Sequence, residues 1–216
     1  MESVDIARIA GLYAVTPDLA DTPTLVAKVR AAIAGGARMV QYRNKTGAAD
    51  LRAAQARALA SACVGRAIFI VNDDAQLAAT VGADGVHVGE DDGALAHARA
   101  IVGSDRIIGV SCYDDLARAQ VLAAQGADYI AFGSFFSSTV KPHARRASPS
   151  LLAQARVLAL PLVAIGGITA ANAGTLIAAG ADAVAVISDV FEHDDLADVT
   201  RAAAAIAETF RRLRRP

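Results

Sequence analysis

The sequence predicts an α/β fold, a closed (β/α)₈ barrel (TIM barrel) that forms a single domain over residues 1–216. Eight short apolar runs alternate with alanine-rich segments of helical spacing. The phrase Gly-Ala-Asp precedes three of the runs, as expected for a repeated β/α unit. A chain of 216 residues is long enough for this barrel, which needs roughly 200 residues or more. A doubly wound open sheet is the alternative architecture.

The eight predicted strands are continuous apolar stretches, the pattern of parallel strands that are buried on both faces. They cover residues 11–16, 39–43, 68–72, 85–88, 107–111, 129–133, 162–166 and 183–188. The first predicted helix has Thr22 as its N-cap and Pro23 at its first position, and Gly35-Gly36 ends it. The other predicted helices cover residues 48–63, 75–81, 93–102, 114–125, 148–158, 170–179 and 195–213.

The overall composition excludes several classes of partner. A net charge of −1 gives no global field that would attract nucleic acid or an anionic membrane. The N-terminus lacks the features of a signal peptide, and no apolar run reaches the length of a membrane span. Cys63 and Cys112 form no CxxC pair, which fits a reduced compartment. We expect a cytoplasmic protein with small-molecule ligands and no nucleic-acid or membrane partner, and the sequence leaves a homo-oligomer open.

Polar side chains follow the second strand, where a barrel of this kind places its active site. Alternation along the strand puts Gln41, Arg43 and Lys45 on one side. A carboxamide and two cations aimed the same way favour the binding of a polar ring together with a polyphosphate. An outward, salt-bridged strand end is the structural alternative.

Acidic side chains follow the third and fourth strands. Asn72 and Asp73 come after the third strand, and Asp92 comes after the fourth. Carboxylates at adjacent strand ends, with no His or Cys beside them, suit a hard cation such as Mg²⁺, which substrate phosphates then help to coordinate. We expect Asp73 and Asp92 to be the metal ligands, and Asp74 and Asp91 to be helix caps or solvated residues.

The remaining strand ends add a donor, a long loop and a second anion site. Ser111 ends the fifth strand, and the loop over residues 135–150 carries Lys141, which is expected to reach inward. Gly166-Gly167 ends the seventh strand and Ser188 the eighth, the place where such barrels frequently bind a phosphate.

Two further side chains are expected to be structural. His87, on the fourth strand, is expected to be a packed or hydrogen-bonded residue, with a substrate contact as the alternative. Strand alternation should turn Cys112 away from the barrel interior.

In order and spacing, these motifs resemble those of the thiamine phosphate synthase family over roughly residues 12 to 188. The segments that carry the resemblance are Gln41-Tyr42-Arg43-Asn44-Lys45, Val71-Asn72-Asp73-Asp74, Gly85-Val86-His87-Val88-Gly89-Glu90-Asp91-Asp92, Gly109-Val110-Ser111 and Ile165-Gly166-Gly167-Ile168-Thr169. The resemblance implies a transferase that uses Mg²⁺ to join 4-amino-2-methyl-5-pyrimidinylmethyl diphosphate to a thiazole phosphate, giving thiamine monophosphate and diphosphate. The diphosphate would leave first, and the thiazole nitrogen would capture the pyrimidine cation.

The resemblance also implies a role for each matching residue. Contacts to the pyrimidine diphosphate fall on Gln41, Arg43, Lys45, Asn72, Ser111 and Lys141, of which Arg43, Lys45, Ser111 and Lys141 are the catalytic assignments. The Mg²⁺ ligands fall on Asp73 and Asp92. Contacts to the thiazole phosphate fall on Ser138, Thr139, Val140, Gly167, Ile187 and Ser188.

The chain departs from the family pattern in the loop after the sixth strand. Val140 stands where a second threonine is common, so backbone groups, Ser138 or Thr139 would have to contact the thiazole phosphate. A thiazole tautomerase relative and a non-catalytic barrel that binds a phosphorylated ligand are the competing interpretations. A tautomerase would not need a Mg²⁺-diphosphate site, and only Val140 points toward a non-catalytic barrel.

Overall fold

Eight parallel strands close into a barrel in the computed structural model, which describes residues 9–89, 94–137 and 146–213. The strands are β1 (Gly11–Val15), β2 (Ala37–Tyr42), β3 (Ile68–Asn72), β4 (Gly85–Val88), β5 (Ile107–Tyr113), β6 (Tyr129–Phe132), β7 (Leu162–Ile165) and β8 (Ala183–Val186). Each strand pairs with the next, and β8 pairs with β1 through Gly11 opposite Ala183. The predicted barrel is confirmed, and the open-sheet alternative is wrong because no sheet edge remains between β1 and β8.

Helices follow the strands around the outside of the barrel. They are α1 (Thr22–Ala34), α2 (Ala49–Cys63), α3 (Ala75–Val81), α4 (Ala94–Val102), α5 (Leu116–Ala124), α6 (Ser150–Ala155), α7 (Ala173–Ala178), α8 (Ser188–Phe191) and α9 (Leu196–Leu213). None of the helices in the described ranges is long and apolar enough to cross a membrane.

Several sequence-based boundaries are wrong by one to three residues, as in the second strand, which begins at Ala37 and ends at Tyr42. Two of these differences have a clear local reason. The N-cap of α1 is Asp21 rather than Thr22, because the Asp21 carboxylate accepts the Thr24 N–H at 2.8 Å while Thr22 is already helical. The eighth strand ends at Val186 rather than Ser188, because Ile187 leaves the extended region with ψ −80°. Ser188 therefore begins the short helix α8, which the sequence did not predict.

The core has two layers that follow the alternation of the strands. Phe69 and Val71 of β3 face outward and pack under the helices. Ile68 and Ile70 of the same strand face the barrel interior. The continuous apolar runs of the sequence therefore serve both layers at once.

The Gly-Ala-Asp repeats tie neighbouring strands together at the amino-terminal end of the barrel. Asp84 accepts the Phe69 N–H at 2.7 Å, and Asp128 accepts the Ile108 N–H at 2.7 Å. Asp182 accepts the N–H of Leu162 at 2.9 Å in the same way. Each aspartate thus holds the start of the preceding strand, and the opposite end of the barrel is left for the polar residues of the loops.

Candidate active site

A cavity of about 1590 Å³ opens at the carboxyl ends of the strands. Of the residues that the sequence assigns to the site, it brings together Gln41, Arg43, Lys45, Asn72, Asp73, Ser111, Gly167, Ile187 and Ser188. The other assigned residues lie outside the described residues; they are Asp92, Ser138, Thr139, Val140 and Lys141. The described site residues come from five different strand ends, so only closure of the barrel makes them neighbours.

The end of β2 has the predicted alternation. Gln41 is buried and turns inward, where its amide contacts a tyrosine of the barrel interior. Tyr42 turns the other way, and its hydroxyl donates to Gln55 of α2 at 2.9 Å. Arg43 and Lys45, which follow the strand, line the same cavity as Gln41, so this segment offers one carboxamide and two cations to a ligand.

A short loop after β1 fixes the cationic segment. The Arg43 N–H donates to Thr16 Oγ1 at 2.9 Å, and the Thr16 hydroxyl donates back to the Arg43 carbonyl at 3.0 Å. Asp18 accepts the backbone N–H of Lys45 at 3.0 Å, and one of its oxygens lies 3.5 Å from the Arg43 guanidinium. Because Thr16 and Asp18 hold the backbone, the two cationic side chains start from defined positions.

Asp73 presents a carboxylate beside these cations. Its backbone has a φ of 62°, the left-handed region that a non-glycine residue rarely occupies. One carboxylate oxygen accepts from Asn72 Nδ2 at 2.7 Å and lies 3.6 Å from Lys45 Nζ. The side chain is about half exposed, at 51%. Asp74, by contrast, caps α3 by accepting the Leu77 N–H at 2.8 Å, which confirms the expected cap.

A glycine turn after β7 forms another side of the cavity. Gly166 and Gly167 have φ values of 104° and 63°, and a β-carbon on either would overlap the backbone or side chains of the loop after β6. Asn172 holds the turn by donating to the Gly167 carbonyl at 3.0 Å and accepting the Thr169 N–H at 2.9 Å. Within the described ranges the Gly167 N–H has no acceptor, so it remains available to an anion.

A chain of hydrogen bonds crosses the barrel interior below the cavity. Gln41 Nε2 donates to the Tyr13 hydroxyl at 2.8 Å, and the Tyr13 and Tyr129 hydroxyls lie 2.9 Å apart. The Tyr129 hydroxyl lies 2.9 Å from His87 Nδ1, and His87 Nε2 lies 2.9 Å from Ser111 Oγ. Burial lowers the pKa of His87 from 6.5 to about 4 and raises the pKa of both tyrosines. His87 is thus the hydrogen-bonded packing residue that the sequence predicted.

Four residues of this region were not found from the sequence. Tyr13 and Tyr129 lie in apolar strands and look like ordinary core residues. The one sequence feature that could have pointed to the Tyr129 ring is Gly109, where a β-carbon would overlap that ring. Asp18 acts through contacts with residues 27 positions away. Arg52 of α2 also lines the cavity, and its buried Nε has no hydrogen-bond partner among the described residues.

Cys112 plays no part in the cavity. It packs in the outer core layer between the barrel and the helices, as alternation predicted. Burial raises the pKa of its thiol to about 12, so the sulfur is protonated at neutral pH and is a poor nucleophile.

Comparison with known proteins identifies the family. The sequence pattern of the thiamine monophosphate synthase family matches residues 12–190. A thiamine-phosphate synthase of Chromobacterium violaceum is 53% identical over 198 residues, which cover 91% of this chain and 96% of the relative. One of Thiobacillus denitrificans is 52% identical over 202 residues, which cover 93% and 94%.

A solved structure gives the same result. Thiamine phosphate pyrophosphorylase from Pyrococcus furiosus superposes with a TM-score of 0.86 and 30% sequence identity, covering 98% of this chain and all of that one. The resemblance drawn from the strand-end motifs is therefore confirmed. The chain belongs to the thiamine monophosphate synthase family.

Proposed function

We propose that the chain is a thiamine phosphate synthase that joins an aminopyrimidine-methyl diphosphate to a thiazole phosphate within the cavity at the barrel mouth. The observation that carries the proposal is that one cavity is lined by two separate groups of residues with donors suited to anions. The cations of β2 and the carboxylate of Asp73 form one region, and the Gly166-Gly167 turn with Ser188 forms the other.

The β2 region suits a diphosphate. Arg43 can bind phosphate oxygens through its planar guanidinium, and Lys45 adds a second positive charge from the same segment after β2. Both side chains have acidic neighbours, Asp18 and Asp73, at 3.5 and 3.6 Å. These pairs leave the guanidinium and the ammonium with further N–H donors for a ligand.

The residues present also fit Mg²⁺. Asp73 offers a half-exposed carboxylate, and its second oxygen has no hydrogen-bond partner in the described part of the chain. That oxygen faces Gly89, the last described residue before the segment that contains Asp92. Mg²⁺ usually takes one or two protein carboxylates and completes its shell with phosphate oxygens and water.

The second region suits a monoester. The Gly167 N–H can donate to one phosphate oxygen, and the Ser188 hydroxyl, one strand away, can donate to another. No charged side chain is needed here because the backbone supplies the donors. A thiazole phosphate held by these groups would face the diphosphate region across the same cavity.

The reaction that we propose breaks the bond between the pyrimidine methylene carbon and the diphosphate oxygen, and forms a bond from that carbon to the thiazole nitrogen. Bound Mg²⁺ would supply positive charge to the leaving diphosphate. Arg43 and Lys45 stabilise the same developing charge, with Lys141 as a further proposed donor. Gln41 and Ser111 orient the pyrimidine ring, and the second region holds the thiazole nitrogen close to the carbon. No enzyme nucleophile takes part.

The two-region arrangement is tested by measuring kinetic constants for each substrate separately. Arg43→Ala should lower kcat/KM for the pyrimidine diphosphate by about 100-fold, because a charged donor to the leaving group is worth roughly 2–4 kcal/mol. Ser188→Ala should raise KM for the thiazole phosphate by about tenfold, the effect of one hydroxyl donor to a charged group.

Arg57→Ala is the matched control, since Arg57 is an exposed arginine of α2 outside the cavity. It should leave both constants unchanged. The proposal fails if Arg43→Ala and Ser188→Ala affect the two substrates alike, or if neither variant differs from the control. A tautomerase would show sensitivity at Ser188 and none at Arg43.

A further inference from the structure

The hydrogen-bond chain from Gln41 to Ser111 joins the two side chains that orient the pyrimidine ring in the proposed function. Its interior members are almost fully buried, with exposures of 1% for Tyr13, 0% for Tyr129 and 8% for His87. The four successive contacts measure 2.8, 2.9, 2.9 and 2.9 Å. Water therefore has little access to these groups, and each depends on its neighbours in the chain for hydrogen bonds.

With Gln41 Nε2 facing Tyr13, the number of hydrogens fixes the direction of the chain. Gln41 Nε2 donates to Tyr13, so the Tyr13 hydroxyl must give its own hydrogen to Tyr129. Tyr129 then donates to His87 Nδ1, and His87 carries its hydrogen on Nε2, from which it donates to Ser111. The Ser111 oxygen is an acceptor in this chain, and its own hydrogen stays free for a ligand.

With the Gln41 amide in this orientation, the other neutral tautomer of His87 breaks the chain. If His87 carried a hydrogen on Nδ1, Tyr129 would accept it and donate to Tyr13. Tyr13 would then accept from both sides, and its buried hydroxyl hydrogen would have no acceptor among the described residues. A buried donor without a partner costs about 1–3 kcal/mol.

Only one alternative keeps every bond. If the Gln41 amide turns over, Tyr13 donates to its oxygen, and every other bond reverses as well. Ser111 then donates to His87 and can only accept from a ligand. The two ends are therefore coupled. When Gln41 offers the ligand a donor instead of an acceptor, Ser111 must offer it an acceptor instead of a donor.

We propose that Tyr13, Tyr129 and His87 are positioning residues that couple Gln41 to Ser111, so that the cavity selects its ring substrate by donor–acceptor polarity. In the direction found here, Gln41 Oε1 is the acceptor and the Ser111 hydroxyl is the donor. A substrate whose amino group faces Gln41 and whose acceptor atom faces Ser111 matches both ends. The inference rests on the proposed function for the identity of that substrate, an aminopyrimidine diphosphate.

The packing around the chain keeps the rings in place. Tyr129 lies stacked on His87, with ring centroids 5.5 Å apart and an interplanar angle of 21°. Tyr13 meets Tyr129 edge-on at 6.2 Å and 79°. Gly109 leaves the space that the Tyr129 ring fills. The direction of the hydrogen bonds between the hydroxyls can therefore change, but the packed rings keep their positions relative to one another.

The first test reads the tautomer directly and needs no ligand. In ¹⁵N-histidine-labelled protein, proton–nitrogen correlation spectra distinguish the two ring nitrogens, and the His87→Gln variant identifies the His87 signals by their loss. We expect a neutral ring with its hydrogen on Nε2. A ring with its hydrogen on Nδ1, or a mixture of the two tautomers, would overturn the assigned direction.

The second test measures discrimination by equilibrium binding. The ligands are the aminopyrimidine-methyl diphosphate and its oxo analogue, in which the exocyclic amino group is replaced by oxygen and the adjacent ring nitrogen carries a hydrogen. The parent protein should prefer the amino ligand by about tenfold or more, since the oxo analogue mispairs a buried polar group. Tyr129→Phe removes the central link, so this preference should fall to about threefold or less.

Tyr42→Phe is the control for loss of a buried tyrosine hydroxyl, because Tyr42 bonds to Gln55 and lies outside the chain. It should keep the preference of the parent protein. A folded Tyr129→Phe protein with an unchanged preference would overturn the coupling. If the parent protein bound no aminopyrimidine diphosphate, the proposed function would fail, whereas the tautomer measurement would still decide the direction of the chain.

Discussion

Acidification should destabilise the protein through His87. The ring is 8% exposed, and burial lowers its pKa from 6.5 to about 4. Unfolding exposes the ring and returns its pKa to the ordinary value, so the unfolded chain takes up a proton at a higher pH than the folded chain does. The stability that comes from the neutral ring is complete above pH 6.5 and is lost as the pH falls toward 4.

The size of the effect follows from these two pKa values. At pH 8 the ring is neutral in the folded and in the unfolded state, so its protonation contributes nothing to the free energy of unfolding. At pH 5 the unfolded ring is almost fully charged while most of the folded rings are neutral. The linkage relation then gives a loss of about 2 kcal/mol in the free energy of unfolding between pH 8 and pH 5.

Urea denaturation at the two pH values measures this loss, with His87→Gln as the reference because glutamine does not titrate. The parent protein should lose about 2 kcal/mol more than the variant on going from pH 8 to pH 5. Equal losses in the two proteins would refute the argument, since the pH dependence would then come from other groups.

Three further predictions concern packing, strand ties and the thiols. Gly109→Ala should lower the free energy of unfolding by about 3 kcal/mol, because the new methyl group overlaps the Tyr129 ring. Gly174→Ala, a helical site where the new methyl group would make only ordinary van der Waals contacts, should change it by less than about 1 kcal/mol in urea denaturation. Asp128→Ala should cost about 1–3 kcal/mol because it leaves the Ile108 N–H without its acceptor and removes the ion pair with Arg99, and an unchanged melting temperature would contradict the role of the aspartate ties. Both cysteines are buried, so a thiol reagent should modify the native protein far more slowly than the urea-unfolded chain; equal rates would contradict the packing.

Most of the barrel could be predicted because its signals are local. An apolar run such as Ile68-Phe69-Ile70-Val71 identifies a strand by itself, and the polar residues that follow it mark the mouth. Gln41, Arg43, Asn72 and Ser111 were therefore placed correctly around one cavity without knowledge of the packing.

The parts that were missed depend on contacts between distant residues. Asp18 stands in a turn like many others, and its contact with the Lys45 backbone appears only when β1 and β2 lie side by side. Tyr13 and Tyr129 read as ordinary core residues, because the pairing of their hydroxyls spans 116 positions. The cap of α1 was assigned one residue late because aspartate and threonine both suit that position, and only the backbone angles distinguish them.

The measurement that tests the central claim most directly is the formation of thiamine monophosphate by the purified protein. The aminopyrimidine-methyl diphosphate, the thiazole phosphate and Mg²⁺ are supplied together, and parallel reactions lack one substrate or contain a metal chelator. We predict product and diphosphate in equal amounts when all components are present, and none when either substrate is omitted or the metal is chelated. Failure to form product in the complete mixture, or a rate that the chelator does not change, would contradict the account.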